Sequence, residues 1–441
     1  MIRELFGRGR AQAQTVTHRC PVVFKTRKPG SHFFGYYDIS PMDASGTKLL
    51  THRVQEFDRM PRADDVVELG MWDVESGEYE RLAETRAYNW QQGSKLQWLG
   101  PDFATRVIFN DREDTRFVTR ILDLASGDVS TLLFPVYTVN PNGKTAICTN
   151  FERSYFPREG YSYQGIVKPE WNVPLHPDDG LFRLDLETGD LQRILATSDL
   201  VEHQPLSSME GAPHYLEHAM YNPDGSRFVF LHRWQLPSGA TYDRAYTADE
   251  DGGRLHLLLD SSLFSHCGWR TPNELTAWAK MPSTMGALRR HRALTKFVLA
   301  PLLPIYRRLL SPNNRVRAAI GGGNYVHMVD RSDQRHILAP SVPWPGDGHC
   351  SWHPHDKRWM LTDTYQDESF DRHLFIYDHQ EGRRIEIGRF HSPPSTCNTG
   401  YRCDLHPRWD RTGNRVIIDS MHENDERQVY VLDVSRVVGG G

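Results

Sequence analysis

Short apolar runs separated by polar turns follow one another along most of this chain. One clear unit spans positions 218–232, where the turn Pro223-Asp224-Gly225 leads into the apolar run from Phe228 to Leu231. Pro restricts φ, Asp can bond its own backbone and Gly accepts a positive φ, so this tripeptide predicts a tight turn between two strands. The same frame of inner strand, turn and apolar strand begins seven times, at positions 36, 95, 136, 218, 266, 349 and 402.

A second sequence motif alternates with these seven strand–turn–strand repeats. It consists of an apolar residue, Asp, and Gly a few positions later, and it is clearest at 72–77, 122–127 and 184–189. Weaker copies lie at 247–252, 329–333, 377–382 and 432–435. Internal repeats at a spacing of roughly 40–60 residues are typical of β-propellers. The pattern therefore predicts an all-β protein, a seven-bladed β-propeller over residues 19–438.

The two ends of the chain are predicted to close this ring together. The last blade, 402–434, has three obvious strands instead of four. The β-rich stretch 21–25 is the natural fourth strand. Closure of the ring removes exposed strand edges, which otherwise favour aggregation.

One segment, 282–320, does not fit any blade and is predicted to be a basic, amphipathic, helical insertion in blade 5. It has no Asp or Glu and carries eight Arg and Lys residues, while its apolar run 297–306 is interrupted by prolines and too short to span a bilayer. Such a segment favours a membrane-surface anchor or a partner-binding hairpin. The alternative is a helical lid packed on one blade with its Arg face in water. The basic N-terminal segment 1–18 favours the membrane.

Composition narrows the class of protein. The 441 residues carry a formal charge of −4, which gives no reason to expect nucleic acid as a partner. The six cysteines are scattered, and the first residues lack the apolar run of a signal peptide. We expect a cytoplasmic protein with reduced thiols, peripheral at the inner face of the cytoplasmic membrane.

The repeat also predicts which side chains share one face. In a propeller the first strand of each blade lines the axis and the second returns antiparallel, so first-strand starts and second-strand ends lie on one face. The starts carry Tyr36, Tyr37, Tyr137, His218, His266, His349 and Arg402, and the ends carry His52, Arg53, Asn110, Arg112, Asn150, Arg153, His232, Arg233, Lys280, Tyr365 and His422. This ring of cations, imidazoles and phenols favours an anionic partner. The alternative is structural, with the arginines paired to neighbouring acids such as Asp111, Glu152 or Asp363.

Three cysteines fall in one repeat column and suggest a metal site. Cys267, Cys350 and Cys403 occupy equivalent positions in consecutive blades, and with His218 they form a candidate ligand set. We expect one divalent ion (zinc, manganese or calcium) and no organic cofactor. Two alternatives stay open: free Cys is a common buried small residue, and His349, His353 and His355 could form a competing site.

Four stretches resemble the seven-bladed propeller polysaccharide lyases, which include the oligogalacturonate lyases and the ulvan lyases. They are 35–38 (Gly-Tyr-Tyr-Asp), 89–93 (Asn-Trp-Gln-Gln-Gly), 110–113 (Asn-Asp-Arg-Glu) and 403–409 (Cys-Asp-Leu-His-Pro-Arg-Trp). The resemblance extends from about residue 32 to 434 and leaves out the basic insertion. It implies β-elimination at a uronic acid of an anionic polysaccharide or oligosaccharide.

The resemblance also implies residue roles. Tyr137 would act as base or acid, Arg153 would neutralise the substrate carboxylate, and His232, with His218 beside it, would transfer a second proton. The other implied substrate-binding residues are Arg53, Arg112, Arg233, Asn110, Gln92, Tyr365 and His422. Amides stand at Asn89, Gln92 and Asn110, where the ulvan type would have catalytic histidines, and amides cannot shuttle protons.

Two hypotheses follow for function. The first is a lyase acting on a uronate-containing glycan, such as a polymer made at the cytoplasmic membrane. The second is a non-catalytic propeller that binds an acidic glycan or a polysaccharide-biosynthesis partner at the membrane.

Overall fold

The computed structural model of the protein describes residues 15–17, 19–261, 263–282, 290–294, 296–297, 323–340, 342 and 344–439. These residues form seven sheets, antiparallel except for one added strand, arranged as the blades of a β-propeller, which confirms the predicted fold. Each blade is a meander in which consecutive strands are hydrogen-bonded neighbours.

The strands follow the chain from the inner to the outer edge of each blade. Blade 1 consists of β3 (Ser31–Phe33), β4 (Lys48–Val54), β5 (Val67–Asp73) and β6 (Tyr79–Thr85), and blade 2 of β7 (Gln97–Trp98), β8 (Arg106–Glu113), β9 (Arg116–Asp123) and β10 (Val129–Leu132). Blade 3 consists of β11 (Thr138–Val139), β12 (Thr145–Cys148), β13 (Gly180–Asp185) and β14 (Leu191–Ala196). Blade 4 consists of β15 (His214–Tyr221), β16 (Arg227–Gln235), β17 (Thr241–Asp249) and β18 (His256–Asp260).

The remaining blades include strands from the start of the chain. Blade 5 consists of β19 (Phe264–Thr271), β20 (Glu274–Ala279), β21 (Asn324–Val329) and β22 (Arg335–Ile337). Blade 6 consists of β23 (Ser351–Trp352), β24 (Trp359–Asp363), β25 (Asp371–Asp378), β26 (Arg383–His391) and β1 (Thr15–Thr17). Blade 7 consists of β27 (Arg408–Trp409), β28 (Arg415–Ser420), β29 (Gln428–Asp433) and β2 (Val22–Lys25).

The start of the chain contacts the last two blades. β2 runs antiparallel to β29, with Val22 opposite Leu432 and Lys25 opposite Tyr430. It therefore supplies the fourth strand of blade 7. β1 pairs in parallel with β26 and adds a fifth strand to blade 6.

The core lies between neighbouring blades, because both faces of each sheet are covered. Ile147 and Leu181 of blade 3 belong to the same buried cluster as Phe230 and Tyr246 of blade 4. A strand that is buried on both faces reads as a continuous apolar run, as the stretch 228–231 does. The sheets also present their inner edges to a common axis, where the candidate site lies.

Helices occur only in the connections among the described residues. They are α1 (Phe151–Arg158), α2 (Thr197–Glu202), α3 (Arg292–Leu294) and α4 (Ser435–Val438), with 3-10 turns at Glu159–Tyr161, Pro169–Trp171 and Ser207–Met209. None of these helices is long and apolar enough to cross a membrane. The predicted insertion 282–320 lies between β20 and β21 of blade 5, and most of it falls outside the described residues, as does nearly all of segment 1–18.

Candidate active site

Each blade contributes a side chain to the axis from its inner strand or from a residue within three positions of that strand. In blade 4 the pairing of β15 with β16 shifts register between Glu217 and Met220, and His218 there has a φ of +56°. Lys95 and His406 have φ values of +59° and +42°. A positive φ costs a residue with a side chain about 1–3 kcal/mol and is concentrated at functional sites. We call the set the axial cluster: Tyr36, Tyr37, Lys95, Tyr137, His218, His266, His349 and His406.

The members of the axial cluster contact one another across the axis. Ring centroids lie 4.1 Å apart for His266 and His349 and 4.4 Å apart for His349 and His406. Tyr36 continues the ring of contacts, 5.2 Å from His406 and 5.5 Å from His218. Tyr37 crosses from blade 1 to blade 5, where its hydroxyl accepts from the Cys267 N–H and donates to the Cys267 carbonyl, both at 2.8 Å. The seven blades thus meet in one polar, aromatic cluster.

His218 connects two tyrosines. Its Nδ1 lies 3.3 Å from the Tyr137 hydroxyl and its Nε2 lies 3.4 Å from the Tyr36 hydroxyl. The Tyr137 oxygen also accepts hydrogen bonds from Gln92 Nε2 at 3.0 Å and from the His218 backbone N–H at 2.9 Å. Burial first, and then the charges of Arg233 and Arg158, lower the pKa of His218 well below its usual value. A neutral imidazole between two phenols can accept a proton on one side and donate one on the other.

Lys95 places an amine in the same cluster. The side chain is fully buried, and Nζ has no hydrogen-bond partner. The amine lies 3.8 Å from the centroid of the Tyr137 ring. Burial lowers the pKa of Lys95 to about 8, against the opposing charges of Asp38 and Glu217.

A possible metal-binding group adjoins the tyrosine–histidine chain. One ligand atom each from His349, Asp404 and His406 lies within 4.8 Å of the others, the one such group among the residues that the structure describes. Both ring nitrogens of His406 are buried without a hydrogen-bond partner. His349 Nδ1 lies 2.9 Å from Asp363, so its Nε2 would serve as the ligand. Carboxylates commonly orient metal-binding histidines in this way.

The donor set fits a divalent transition metal better than calcium. Imidazole nitrogen with carboxylate oxygen suits zinc or manganese, whereas calcium prefers oxygen ligands throughout. Asp404 is held by ion pairs to Arg372 and Arg402, both at 2.8 Å. His266 stands beside the group, with its Nδ1 3.1 Å from Asp347.

The connection between β12 and β13 covers the cluster. Tyr161 lies 6.1 Å from the His218 ring, and the Arg158 guanidinium lies 4.0 Å from the centroid of Tyr161. Arg158 is itself paired with Glu217. As a result His218 is 9% exposed and His349 is 2% exposed.

The structure brings together several of the residues that the sequence suggested. Tyr137, His218 and Gln92 are in direct hydrogen-bonded contact, and His266 and His349 join them in the axial cluster. Tyr365 lies at the rim, with its ring 5.9 Å from His349. Arg402 is also at the rim, 5.9 Å from the Tyr365 ring.

Arg153 and His232, two of the predicted catalytic residues, do not belong to the axial cluster. The expectation that Arg153 ends a strand is wrong, because β12 stops at Cys148 and the Asn150 side chain caps α1 by accepting from the backbone N–H groups of Glu152 and Arg153. The Arg153 guanidinium is buried and donates to the carbonyls of Trp171, Pro174 and His214. His232 Nε2 lies 2.9 Å from His214 Nδ1, away from the axis in blade 4.

The other predicted substrate-binding residues have partners within the protein. Arg53 pairs with Glu68 at 2.7 Å, and Arg112 donates to the Gln164 carbonyl at 2.9 Å. Arg233 pairs with Glu217 and Asp243. Asn110 is buried and bonds Val136 and Tyr163, and His422 packs on Phe390 and Tyr430. The structural alternative therefore describes these five side chains better.

The cysteine column does not assemble as a ligand set. His218, Cys267, Cys350 and Cys403 do not bring three ligand atoms within 4.8 Å of one another. The Cys350 thiol donates to the carbonyls of His266 and Thr276, and burial raises the pKa of Cys267 and Cys403 to about 12. The competing metal site of His349, His353 and His355 does not form either. His353 Nδ1 accepts from the backbone N–H groups of His355 and Asp356 instead.

Three residues of the site were missed by the sequence analysis: Lys95, Asp404 and His406. Lys95 begins one of the seven repeat frames, and Asp404 and His406 lie inside another, so the repeat already marked both segments. The repeat predicted that the inner strand of blade 7 begins at Arg402, whereas β27 begins at Arg408. Arg402 and Cys403 were therefore predicted to be the residues of this blade that face the site.

Comparison with known proteins supports the fold. No family model matches the chain, and no curated protein matches it. Among solved structures, an oligogalacturonate lyase from Vibrio parahaemolyticus is similar with a TM-score of 0.59 and 13% identity, over 96% of this chain and 99% of that one. An oligogalacturonate lyase in complex with manganese has a TM-score of 0.55 and 14% identity, over 96% and 98%. A prolyl endopeptidase has a TM-score of 0.50 and 10% identity, over 93% and 47%. At these identities the likeness concerns the propeller fold alone.

Proposed function

We propose that this propeller is a carbon–oxygen lyase that cleaves a uronic-acid-containing glycan by β-elimination. The observation that carries the proposal is the Tyr137–His218–Tyr36 chain beside the group formed by His349, Asp404 and His406. Such an elimination needs a base, an acid and a positive charge near the sugar carboxylate. The fold shared with oligogalacturonate lyases supports the same choice.

Each proton in the reaction has a proposed carrier. The Tyr137 phenolate takes the proton from C5, the C5 electrons form the C4–C5 double bond, and the C4–O bond breaks. The leaving oxygen takes the proton of the Tyr36 hydroxyl. His218 then receives the proton of Tyr137 at Nδ1 and returns one to Tyr36 from Nε2, which restores both groups.

The charged groups near this chain have a separate task. His349, Asp404 and His406 are the residues that would hold a divalent ion, which when bound would draw electron density from the substrate carboxylate and acidify C5. Arg402 and Arg372 keep Asp404 ionised and in position, because both guanidinium groups lie 2.8 Å from its carboxylate.

The test is direct. The protein is incubated with a panel of uronic-acid polysaccharides and oligosaccharides, and the ultraviolet absorbance of the unsaturated product is followed. We expect the absorbance to rise with at least one substrate and to fall after treatment with a chelator. No absorbance change with any member of the panel, with manganese or zinc supplied, would contradict the proposal.

A non-catalytic, glycan-binding propeller is the second candidate. It is favoured by the cover that Arg158 and Tyr161 form over the axial cluster, since a polymer cannot reach these side chains until the cover moves. Titration calorimetry distinguishes the two candidates. Saturable binding of an acidic oligosaccharide without any unsaturated product would support the second one.

Contact with a membrane surface or a membrane protein is proposed for the insertion in blade 5. The described beginning of the insertion supports it, because Phe297 is 71% exposed next to Lys296. We expect the full chain to cosediment with anionic vesicles and a deletion of residues 298–320 to do so less. Equal cosedimentation of the two proteins would contradict the proposal.

A further inference from the structure

We propose that Lys95 is a positioning residue for Tyr137: its ammonium group, held against the face of the phenol ring, favours ionisation of that phenol, so that the phenolate can accept a proton. The proposal rests on the proposed function only for its effect on elimination. The contact itself can be measured without any substrate.

The backbone around Lys95 directs the side chain to the axis. The preceding turn is closed by hydrogen bonds between Asn89 and Gly93, and Lys95 follows it with a φ of +59°. Gln97 Nε2 donates to the Lys95 carbonyl at 3.3 Å and so stabilises this conformation. A Lys in a strained left-handed conformation indicates that the position of its side chain matters, since Gly would adopt this backbone more easily.

The amine contacts aromatic rings and no hydrogen-bond acceptor in the described part of the chain. Its Nζ is buried without a partner, 3.8 Å from the centroid of Tyr137 and 5.7 Å from that of Tyr36. An ammonium group in this place is attracted by the negative face of the ring. Since Tyr137 is the nearer ring, it is the one on which Lys95 acts.

Three groups around Tyr137 favour negative charge on its oxygen. Two are the N–H donors, Gln92 Nε2 at 3.0 Å and the His218 backbone at 2.9 Å, and the third is the Lys95 ammonium. The opposing influences are burial and the charges of Glu217 and Asp38, which raise the pKa of Tyr137. Among the described residues, Lys95 is the cation in contact with the face of this ring, and we assign to it the role of a counterweight to the two carboxylates.

The charge state of Lys95 suits this role. Asp38 and Glu217 face the amine and oppose the effect of burial, which leaves its pKa at about 8. Lys95 is therefore mainly an ammonium at pH 7 and loses its charge in the next pH units. A unit charge roughly 4–5 Å from a phenolate, at an effective dielectric constant near 20, lowers the pKa of the phenol by roughly two and a half to three units.

The experiment observes Tyr137 itself. The full chain is labelled with carbon-13 at the tyrosine ring carbon that bears the hydroxyl, and Tyr137→Phe identifies the Tyr137 resonance. In the wild type we expect this resonance to show an inflection near pH 8, where Lys95 loses its proton. The absence of an inflection would overturn the proposal without the need for any Lys95 variant.

Variants add the direction of the effect. We expect the ionisation constant of Tyr137 to be at least tenfold larger in Lys95→Arg, which keeps its charge at every pH, than in Lys95→Met, which has none. Lys144→Met, which removes an exposed lysine, is the matched control and should leave the resonance as in the wild type. A Tyr137 titration that is the same in Lys95→Arg as in Lys95→Met would overturn the proposal.

The pH dependence of elimination connects this contact to the proposed function. Because the base is the Tyr137 phenolate, the rising limb of the kcat/KM profile should lie at least one pH unit lower in Lys95→Arg, which stays charged, than in Lys95→Met. A purely structural role would lower the rate at every pH and leave the limb in place. If no glycan is cleaved at all, the proposed function fails, and the resonance titration still decides the role of Lys95.

Discussion

At the scale of single residues, the proposed chemistry depends on where protons can move between neighbouring side chains. His218 is the central group, because each of its ring nitrogens faces a tyrosine hydroxyl. Tyr137 differs from Tyr36 in accepting two additional N–H bonds at its oxygen. These bonds favour Tyr137 as the group that carries negative charge, and they make it the first residue to test.

Replacement of Tyr137 by Phe removes only the hydroxyl group. We expect kcat to fall by roughly 10²–10⁴-fold, the usual contribution of a positioned acid or base, with little change in the Kd of the glycan. Product absorbance and calorimetry measure the two quantities. Tyr163→Phe is the matched control, because that hydroxyl bonds Asn110 away from the axis. Undiminished activity of Tyr137→Phe would remove Tyr137 from the mechanism.

Metal content tests the group formed by His349, Asp404 and His406. After dialysis against zinc or manganese, we expect His406→Ala and His349→Ala to retain less metal than the wild type, as measured by elemental analysis. A double variant, Cys350→Ser with Cys403→Ser, should retain the wild-type amount, since those thiols do not lie in the ligand group. The opposite result would favour the cysteine set that the sequence suggested.

At the scale of elements, the base of the connection between β12 and β13 is held by a helix cap and by side-chain hydrogen bonds. Asn150 caps α1, and the buried Arg153 guanidinium ties that helix to the carbonyls of Trp171, Pro174 and His214. The 3-10 turn Glu159–Tyr161 follows and extends over the axial cluster. An arginine used in this way determines the shape of the cover, because its hydrogen bonds go to backbone carbonyls within the protein.

Arg153→Met should therefore affect stability more than specific recognition. Three backbone carbonyls, one in a buried hydrogen bond and two in partly buried ones, lose their donor, so the free energy of unfolding should fall by about 1–3 kcal/mol. Urea denaturation measures this change, and Arg116→Met, at an exposed position of blade 2, is the control. If the variant had wild-type stability but no longer distinguished an acidic glycan from its methyl ester, Arg153 would bind the substrate carboxylate, as the resemblance to the lyases implied.

At the scale of the whole molecule, seven blades form a closed ring because the two ends of the chain meet in blade 7. β2 covers the edge of β29, and β1 covers the edge of β26 in blade 6. The inner strands can then meet at one axis. The site therefore depends on closure, since its side chains come from all seven blades.

Removal of the closing strand tests this dependence. A chain that begins at residue 27 lacks β2, and we expect a lower thermal midpoint and more aggregation, because the edge of β29 becomes exposed. Since that chain also lacks β1, the control is a chain that begins at residue 19, which lacks β1 but keeps β2. Equal midpoints for the two truncated chains would show that β2 does not stabilise the ring.

Acid should destabilise the protein through its buried histidines. Burial lowers the pKa of His32 and His52 to about 3 and that of His214 to about 4. In the unfolded chain these groups bind protons at about pH 6.5, so the unfolded state gains protons first and the free energy of unfolding falls as the pH drops from 6.5 towards 4. Each such histidine contributes up to about 1.4 kcal/mol per pH unit.

The measurement compares slopes instead of absolute stabilities. Urea denaturation at pH 7, 6 and 5 should give a shallower pH dependence for His214→Asn than for the wild type. His391→Asn, at an exposed position, should leave the slope unchanged. An unchanged slope in His214→Asn would mean that this histidine already titrates normally in the folded protein.

The predictable part of the site was the part in register with the repeat. Tyr137 lies directly before β11 and His218 lies inside β15, and both occupy the first-strand position of the repeat, so an alignment of the blades was enough to expect them on one face. Arg153 was misplaced because a helix capped by Asn150 starts where the repeat predicts a strand. Lys95 and His406 lie in segments that the repeat marks, two residues before their inner strands, and have a positive φ. Periodicity locates such a segment, but it does not show which of its side chains reaches the axis.

The sequence by itself determined the number of blades and the general chemistry of the face, because turn residues and apolar runs act locally and repeat along the chain. Only the tertiary structure decided which side chains meet. His349 and His406 are 57 positions apart and come from different blades, yet their rings lie 4.4 Å apart at the axis. Such contacts depend on the closure of the ring and on bulges in its inner strands, and these arise from the packing of all seven blades together.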